Sequence, residues 1–149
     1  MKIAVDAMGG DRAPEAVVEG AVRANRLHGF EILLVGRRTI VKPLLERALT
    51  ASRKLRPACT GGNSAGAGGG DIRVVDASEV IAMAEHPAQA VRRKKNASLV
   101  ICGDLVKTGE ADAFVSAGNT GAGMAVAAMK FGRIRGIDRP AIALSLIHI

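Results

Sequence analysis

The chain has 149 residues, of which 48% are hydrophobic and 2% aromatic, and its 21 Lys and Arg against 14 Asp and Glu give a net charge of +7. This apolar content excludes a disordered tail, and the lack of Trp and Tyr disfavours modules that stack nucleic-acid bases on exposed rings. The positive charge favours an anionic partner, but its sign alone does not choose among nucleic acid, a membrane surface, an acidic protein and a phosphorylated metabolite.

Neither a secretory leader nor a membrane span is predicted from the sequence. Asp6 interrupts the apolar start, and the longest apolar run, residues 122–129, is shorter than the roughly 20 residues that cross a bilayer. Cys59 and Cys102 are too few for a disulfide framework and lack the spacing of a metal site. We therefore expect a soluble intracellular protein without a bound metal or other cofactor, with Cys102 in the core and Cys59 in a loop.

The first half of the chain predicts two strands, each followed by a helix. Residues 2–6 read as a short buried strand, and Asp11 is placed to cap a helix that has Pro14 in its first turn. The apolar face of this helix is formed by Val17, Ala21, Ala24 and Leu27, or by the parallel set Val18 and Val22. Residues 32–35 predict a second strand, apolar on both faces, and residues 39–51 a second helix. The buried side of the second helix is predicted to be Ile40, Leu44, Ala48 and Leu49.

A glycine-rich stretch separates this half from the next. Residues 57–70 are mostly Gly, Ala, Ser and Asn, and they read as an insertion or linker because no strand leads into the glycines and no helix follows them. Beyond it we expect a strand over residues 72–76 and helical segments over residues 78–84, 88–95 and 98–108. A strand over residues 113–116, a helix over residues 120–131 and a last strand from Ala141 complete the pattern.

The alternation of strands and helices predicts an α/β fold with a parallel sheet wound right-handedly and helices on both faces. We assign residues 1–143 to one domain. Residues 144–149 match the translation of a sequencing adapter, so we expect a non-native tail; the alternative is a genuine strand after Pro140.

Ligands of parallel sheets bind beyond the carboxyl ends of the strands, and this rule selects two loops. The first, residues 6–11, holds Asp6, Gly9, Gly10 and Asp11. Its glycines allow the backbone to approach a ligand, and its carboxylates flank them. The alternative is structural, with Asp11 as a helix cap and Asp6 as a hydrogen-bond acceptor at the strand end.

The second loop, residues 116–122, lies between a predicted strand and a predicted helix. Ser116, Asn119 and Thr120 supply side-chain donors, while Gly118 and Gly121 let backbone N–H groups point at an anion at the helix start. The glycine spacing fits neither nucleotide-binding signature. The alternative is an ordinary strand-to-helix turn with Asn119 or Thr120 as the cap.

No nucleophile and base can be assembled from the sequence. His28, His86 and His148 are scattered, and the reaction is expected to work by orienting and polarising substrates. Positive charge is concentrated at Arg92, Arg93, Lys94 and Lys95, which read either as a binding patch or as a solvated helix face.

At these same residues the sequence resembles the PlsX family of phosphate acyltransferases. The opening residues 2–11, the segment 80–98, the segment 111–122 and the segment 136–141 are similar to four motifs of that family in the same order, so that the resemblance covers residues 2–143. Roughly the C-terminal half of a family member has no counterpart here. We therefore expect a truncated fold and an inactive fragment.

The resemblance implies transfer of a fatty acyl group from the thioester of acyl carrier protein to inorganic phosphate, giving acyl phosphate for phospholipid synthesis. It also implies a bacterial, cytoplasmic homodimer associated peripherally with the membrane, and a Rossmann-like fold related to phosphotransacetylases and isocitrate dehydrogenases.

We expect catalytic roles for Asp6, Asp11 and Asn119. The residues expected to bind substrate are Gly9, Gly10, Ser116, Gly118, Thr120 and Gly121. Because acyl carrier protein is acidic, its expected binding residues are Arg92, Arg93, Lys94 and Lys95.

Two other functions stay open from the sequence. A phosphate acetyltransferase acting on coenzyme A thioesters shares the chemistry, but it lacks the opening Asp-Ala-Met-Gly-Gly-Asp. A basic nucleic-acid-binding domain is supported by net charge alone, and the near-absence of aromatic residues weighs against it, so we expect no nucleic-acid partner.

Overall fold

The computed structural model describes residues 1–54 and 70–138, which form four strands and five helices. In chain order the elements are β1 (Lys2–Asp6), α1 (Glu15–His28), β2 (Glu31–Gly36), α2 (Arg38–Lys54), β3 (Ile72–Asp76), α3 (Pro87–Arg93), α4 (Ser98–Lys107), β4 (Ala113–Val115) and α5 (Thr120–Phe131). The predicted strands are confirmed to within a residue or two at each end. The expectations for residues 57–69, which include Cys59, and for residues 139–149 lie outside the described residues.

The four strands form one parallel sheet in the order β3-β2-β1-β4. The chain lays down β1, β2 and β3 in one direction and then crosses back, so that β4 joins the free side of β1. The sheet therefore has its topological switch point between β1 and β4, where ligands of parallel sheets bind.

Helices cover both faces of the sheet, as predicted. On one face Ile32 and Leu34 of β2 pack against α1 and α2. On the other face Leu33 and Val35 pack with Cys102 of α4, which is fully buried as expected. Because apolar side chains of β2 alternate between two helical layers, the strand is hydrophobic throughout.

The details of the first two helices differ from the prediction. Helix α1 begins at Glu15 with Pro14 at the cap position and no side-chain cap, so the expectation that Asp11 caps it is wrong. Its buried side chains are Val18, Ala21, Val22 and Asn25, which matches the second predicted set. In α2, Val41 and Leu45 are buried while Ile40 and Leu49 are partly exposed, so the buried face is rotated by one residue.

Residues 78–84 are not helical, contrary to the prediction. The backbone of Glu79 pairs with the chain that precedes α4: its N–H donates to the carbonyl of Asn96, and its carbonyl accepts from the N–H of Ser98. These bonds use the groups that a helix would need, and Ile81 is drawn into the core beneath α3 and α5.

Strand β4 forms one edge of the described sheet, and it lies beside α5. Val115 at the end of β4 is 55% exposed, and an apolar groove of about 900 Å³ runs along α5. Among its lining side chains are Phe114, Val115, Met124, Phe131, Ile134 and Ile137. We call this feature the α5 groove. No helix among residues 1–54 and 70–138 is long and apolar enough to cross a membrane.

Candidate functional site

The loops that follow β1 and β4 meet at the switch point. The hydroxyl of Ser116 donates to Oδ2 of Asp6 over 2.8 Å, joining residues 110 positions apart, and it accepts from the N–H of Gly118 over 3.1 Å. The other carboxylate oxygen of Asp6 accepts from the N–H of Met8 at 3.2 Å. Asp6 is 3% exposed, and its buried carboxylate connects the two loops through these hydrogen bonds.

Glycines let the two loops touch. A Cβ atom on Gly9 would lie 2.5 Å from Oδ2 of Asp6 and 2.8 Å from Oγ of Ser116, which is closer than packed atoms allow. A Cβ on Gly118 would lie 3.1 Å from the Cα of Gly9. Gly10 has φ of +117°, which disfavours any other residue there. The Gly9, Gly10 and Gly118 positions thus build a floor of bare backbone.

The second loop leads directly into α5. Asn119 caps the helix, because its Oδ1 accepts from the N–H of Ala122 at 3.0 Å. Thr120 is the exposed first residue of α5, and Gly121 follows it. The first N–H groups of a helix have no acceptor within the helix, so this end presents donors and partial positive charge to the floor.

A third segment, residues 82–85, lies against this helix start. The amide of Asn119 donates towards the carbonyls of Ala82, Met83 and Glu85 over 3.2–3.4 Å. Asn119 is only 9% exposed and both of its polar side-chain atoms are engaged within the protein. A direct catalytic role for its amide stays a prediction, since a substrate would have to compete with these carbonyls.

Lys94 holds the same segment from the side of α3. Its ammonium group lies 2.6 Å from Oε1 of Glu85 and donates to the carbonyl of Val80 at 2.8 Å. The hydrogen bond from Lys94, with a further one from the N–H of Ala82, lowers the pKa of Glu85 below its ordinary value of 4.5. The sequence analysis missed this arrangement, because a helix was expected here and no local pattern joins Glu85 to Lys94.

The remaining predicted residues lie at the edges of the site. Arg92, Arg93 and Lys95 are exposed around the end of α3, while Lys94 is half-buried in its ion pair. Asp11 is exposed in the turn before α1 and, among the described contacts, takes no part in the Asp6–Ser116 network. The structure thus joins Asp6 to the second loop and leaves Asp11 at the rim.

Among the described residues, the thiol of Cys102 is buried and is not an activated nucleophile. Burial raises the pKa of Cys102 well above its ordinary range, and the carboxylate of Asp6 raises it further. The described ranges contain no group of three side chains able to hold a metal ion. The described site consists of the Asp6–Ser116 hydrogen bond, the glycine contacts between the two loops and the start of α5.

Fold and site together define a Rossmann-like α/β protein whose two glycine loops meet at the switch point of a parallel sheet. Residues 1–62 and 66–148 match the family described as "Fatty acid synthesis protein". The chain is also 47% identical over 146 residues to a phosphate acyltransferase of Desulfitobacterium hafniense, a match that covers 98% of this chain and 38% of that protein.

Other phosphate acyltransferases are similarly close. The protein of Heliobacterium modesticaldum is 51% identical, with 98% of this chain and 39% of the relative covered, and that of Gloeobacter violaceus is 43% identical, with 98% and 38% covered. The chain belongs to the fatty acid synthesis protein family, and the PlsX resemblance is confirmed. It spans about two fifths of the length of the curated relatives that it matches.

Proposed function

We propose that the longer protein to which this chain contributes, called here the parent, transfers a fatty acyl group from the thioester of acyl carrier protein to inorganic phosphate. The products are an acyl phosphate and the free thiol of the carrier. The observation that carries the proposal is the joining of two strand-end glycine loops through Ser116 and Asp6 at the start of α5. Relatives named phosphate acyltransferase support the reaction class.

The site favours this chemistry because inorganic phosphate is itself the nucleophile. An oxygen of hydrogen phosphate attacks the thioester carbonyl, a C–O bond forms and the C–S bond breaks, and the leaving thiolate takes up the proton that the phosphate loses. No side-chain nucleophile is needed, which agrees with the raised pKa of the Cys102 thiol. The donors at the start of α5, from Thr120 and Gly121, would bind phosphate and stabilise the charge that concentrates on it and on the thioester oxygen.

The roles of the other residues follow from their places. Gly9, Gly10 and Gly118 provide the floor on which phosphate rests, and Asp6 and Ser116 fix the distance between the loops. We assign the transfer of this proton to Asp11, whose carboxylate is exposed in the turn before α1. The proposal assigns no proton transfer to Asp6, which is engaged below the floor.

The exposed positive charge of α3 suits an acidic carrier. Arg92, Arg93 and Lys95 are exposed around the end of α3, and Arg93 lines a small cavity together with Glu85 of the segment 82–85. Charge complementarity of this kind steers encounter and is sensitive to salt. We extend the proposal to a cytoplasmic parent that acts as a homodimer and associates peripherally with a membrane, where its product is used.

The test is to supply the purified parent with acyl carrier protein loaded with a fatty acyl group, with and without inorganic phosphate, and to trap acyl phosphate with hydroxylamine. We expect product only when both substrates are present. Faster turnover of coenzyme A thioesters than of carrier thioesters would favour the acetyltransferase alternative. Retention on immobilised DNA but not on immobilised carrier protein would favour the nucleic-acid alternative.

A further inference from the structure

We propose that residues 82–85 form a third wall of this site, and that Asn119 and Lys94 are the positioning residues that hold the wall against the start of α5. The reaction in which the wall acts is the one proposed above, so the inference rests on that function for its kinetics. Its geometry rests on the contacts alone.

The wall has no regular structure to fix its position. Residues 82–85 belong to no helix or strand, and their side chains are exposed except for the half-buried Glu85, with Met83 at 60% exposure. A segment of this kind is held by the few polar contacts that it makes. Those contacts are therefore the ones whose loss should move it.

Two sets of contacts come from opposite sides. From the second loop, the amide of Asn119 reaches three carbonyls of the wall over 3.2–3.4 Å. From α3, the ammonium group of Lys94 binds Glu85 at 2.6 Å, and the same carboxylate oxygen accepts from the N–H of Ala82 at 2.8 Å. The wall thus has one hydrogen bond within itself, between Ala82 and Glu85, and further ones to Asn119 and Lys94.

The helices that bear these contacts also touch directly. A Cβ on Gly121 would lie 2.7 Å from Cγ of Pro87, so the first turns of α5 and α3 are packed backbone against ring. The wall consequently lies beside the first turns of both α3 and α5. We assign Met83, whose apolar side chain is 60% exposed on the wall, as the contact for the thioester.

The sharpest variant is Asn119→Asp in the parent, because aspartate keeps the cap on Ala122 but cannot donate to the three carbonyls. We expect hydrogen exchange of residues 82–85 to rise, whatever the reaction proves to be. We expect kcat/KM to fall about tenfold to a hundredfold, the scale of a misplaced reacting group, with the midpoint of thermal unfolding lowered by only a few degrees. Unchanged exchange of these residues would overturn the proposal.

Lys94→Met tests the other side, with Lys107→Met on the exposed end of α4 as the matched control. If Lys94 positions the wall, activity falls with a small acyl thioester as well as with the acyl carrier, because the defect lies in the site. A loss confined to the carrier substrate would overturn the positioning role and make Lys94 a docking residue. Met83→Ala should raise KM for the thioester while leaving KM for phosphate unchanged.

The kinetic and exchange results separate the two proposals. If the parent forms no acyl phosphate, the proposed function is wrong. If hydrogen exchange of residues 82–85 nevertheless rises in Asn119→Asp, the positioning of the wall is still supported. If the parent forms acyl phosphate equally well with and without the Asn119 and Lys94 side chains, the positioning role is wrong and the proposed function is still supported.

Discussion

At the scale of single residues, the site depends on glycines, which have no side chain to separate the two loops. The two loops approach so closely at Gly9 and Gly118 that hydrogen atoms alone fit between them, and the buried carboxylate of Asp6 occupies the space below. The N–H of Gly9 already donates to the carbonyl of Asp6, and that of Gly118 donates to the hydroxyl of Ser116, so these two glycines bring the backbones together and do not supply free donors. Glycine therefore matters here for contact distance more than for chain flexibility.

The first prediction compares two glycines. Gly9→Ala should lower the free energy of unfolding of the parent by about 1–3 kcal/mol, because the new methyl group would overlap Asp6 and Ser116. Gly20→Ala in α1 has no atom within 4 Å of its new Cβ and should raise stability by roughly 0.5–1 kcal/mol through helix propensity. Urea denaturation measures both. Equal effects would mean that the loops are looser than their contacts indicate.

The second prediction concerns the hydroxyl of Thr120. Since Asn119 already caps α5, Thr120→Val should leave the unfolding midpoint nearly unchanged. Its loss of a donor should reduce phosphate-dependent turnover of the parent by about 100-fold, as removal of one donor from a charge-stabilising site costs about 3 kcal/mol. Thr120→Ser, which keeps the hydroxyl, is the control. A destabilised protein with unchanged kinetics would assign Thr120 a structural role only.

At the scale of elements, periodicity predicted which segments are helices and strands but not always which way they face. In α2, choosing Ile40 instead of Val41 places the apolar stripe one residue off, because both sets satisfy the same spacing and the strand beneath decides between them. Residues 78–84 have a helical composition, yet the partners of Glu79 lie at Asn96 and Ser98, across a tertiary contact that local sequence does not contain.

The same limit explains what was missed at the site. The two strand-end loops could be predicted because strand order in a parallel sheet places loop residues at one edge, and the Asp6–Ser116 contact agrees with that. The position of the wall, residues 82–85, could not be predicted, because its hydrogen bonds to Asn119 and Lys94 join residues that are distant along the chain. Local rules place each element; packing places the segments between them.

The third prediction tests the packing of α4 on α5. A Cβ on Gly103 would lie 2.3 Å from Cγ1 of Val126, so Gly103→Ala should force the helices apart and lower stability by about 1–3 kcal/mol. Val126→Ala removes the obstructing methyl groups. In a double-mutant cycle followed by denaturation, the two substitutions together should therefore cost less than the sum of their separate effects. Additive costs would show that the helices adjust without strain.

At the scale of the whole molecule, the open edge of the sheet dominates the behaviour expected of the 149-residue chain. Among residues 1–54 and 70–138, the α5 groove and the edge strand β4 expose several apolar side chains, including Val115, Phe131, Ile134 and Ile137. Surfaces of this kind promote association.

The fourth prediction is that the chain by itself is poorly soluble, self-associates and forms acyl phosphate far more slowly than the parent. Val115→Lys should reduce its association in sedimentation velocity, because a charge on an edge strand opposes strand pairing. Leu27→Lys on α1 is the control, as Leu27 is 66% exposed but outside the groove. A monomeric, fully active chain would contradict this prediction.

The crossing-back of the chain between β3 and β4 also sets the order in which the site can arise during synthesis. Residues 1–76 complete three strands, but the contact between the two glycine loops requires Ser116 and Gly118, and the hydrogen bond from Ser116 to Asp6 joins residues 110 positions apart. Contacts this distant in sequence form late in folding, after local helices and neighbouring strands. A nascent chain that has emerged only as far as β3 therefore still lacks the contact between the two loops.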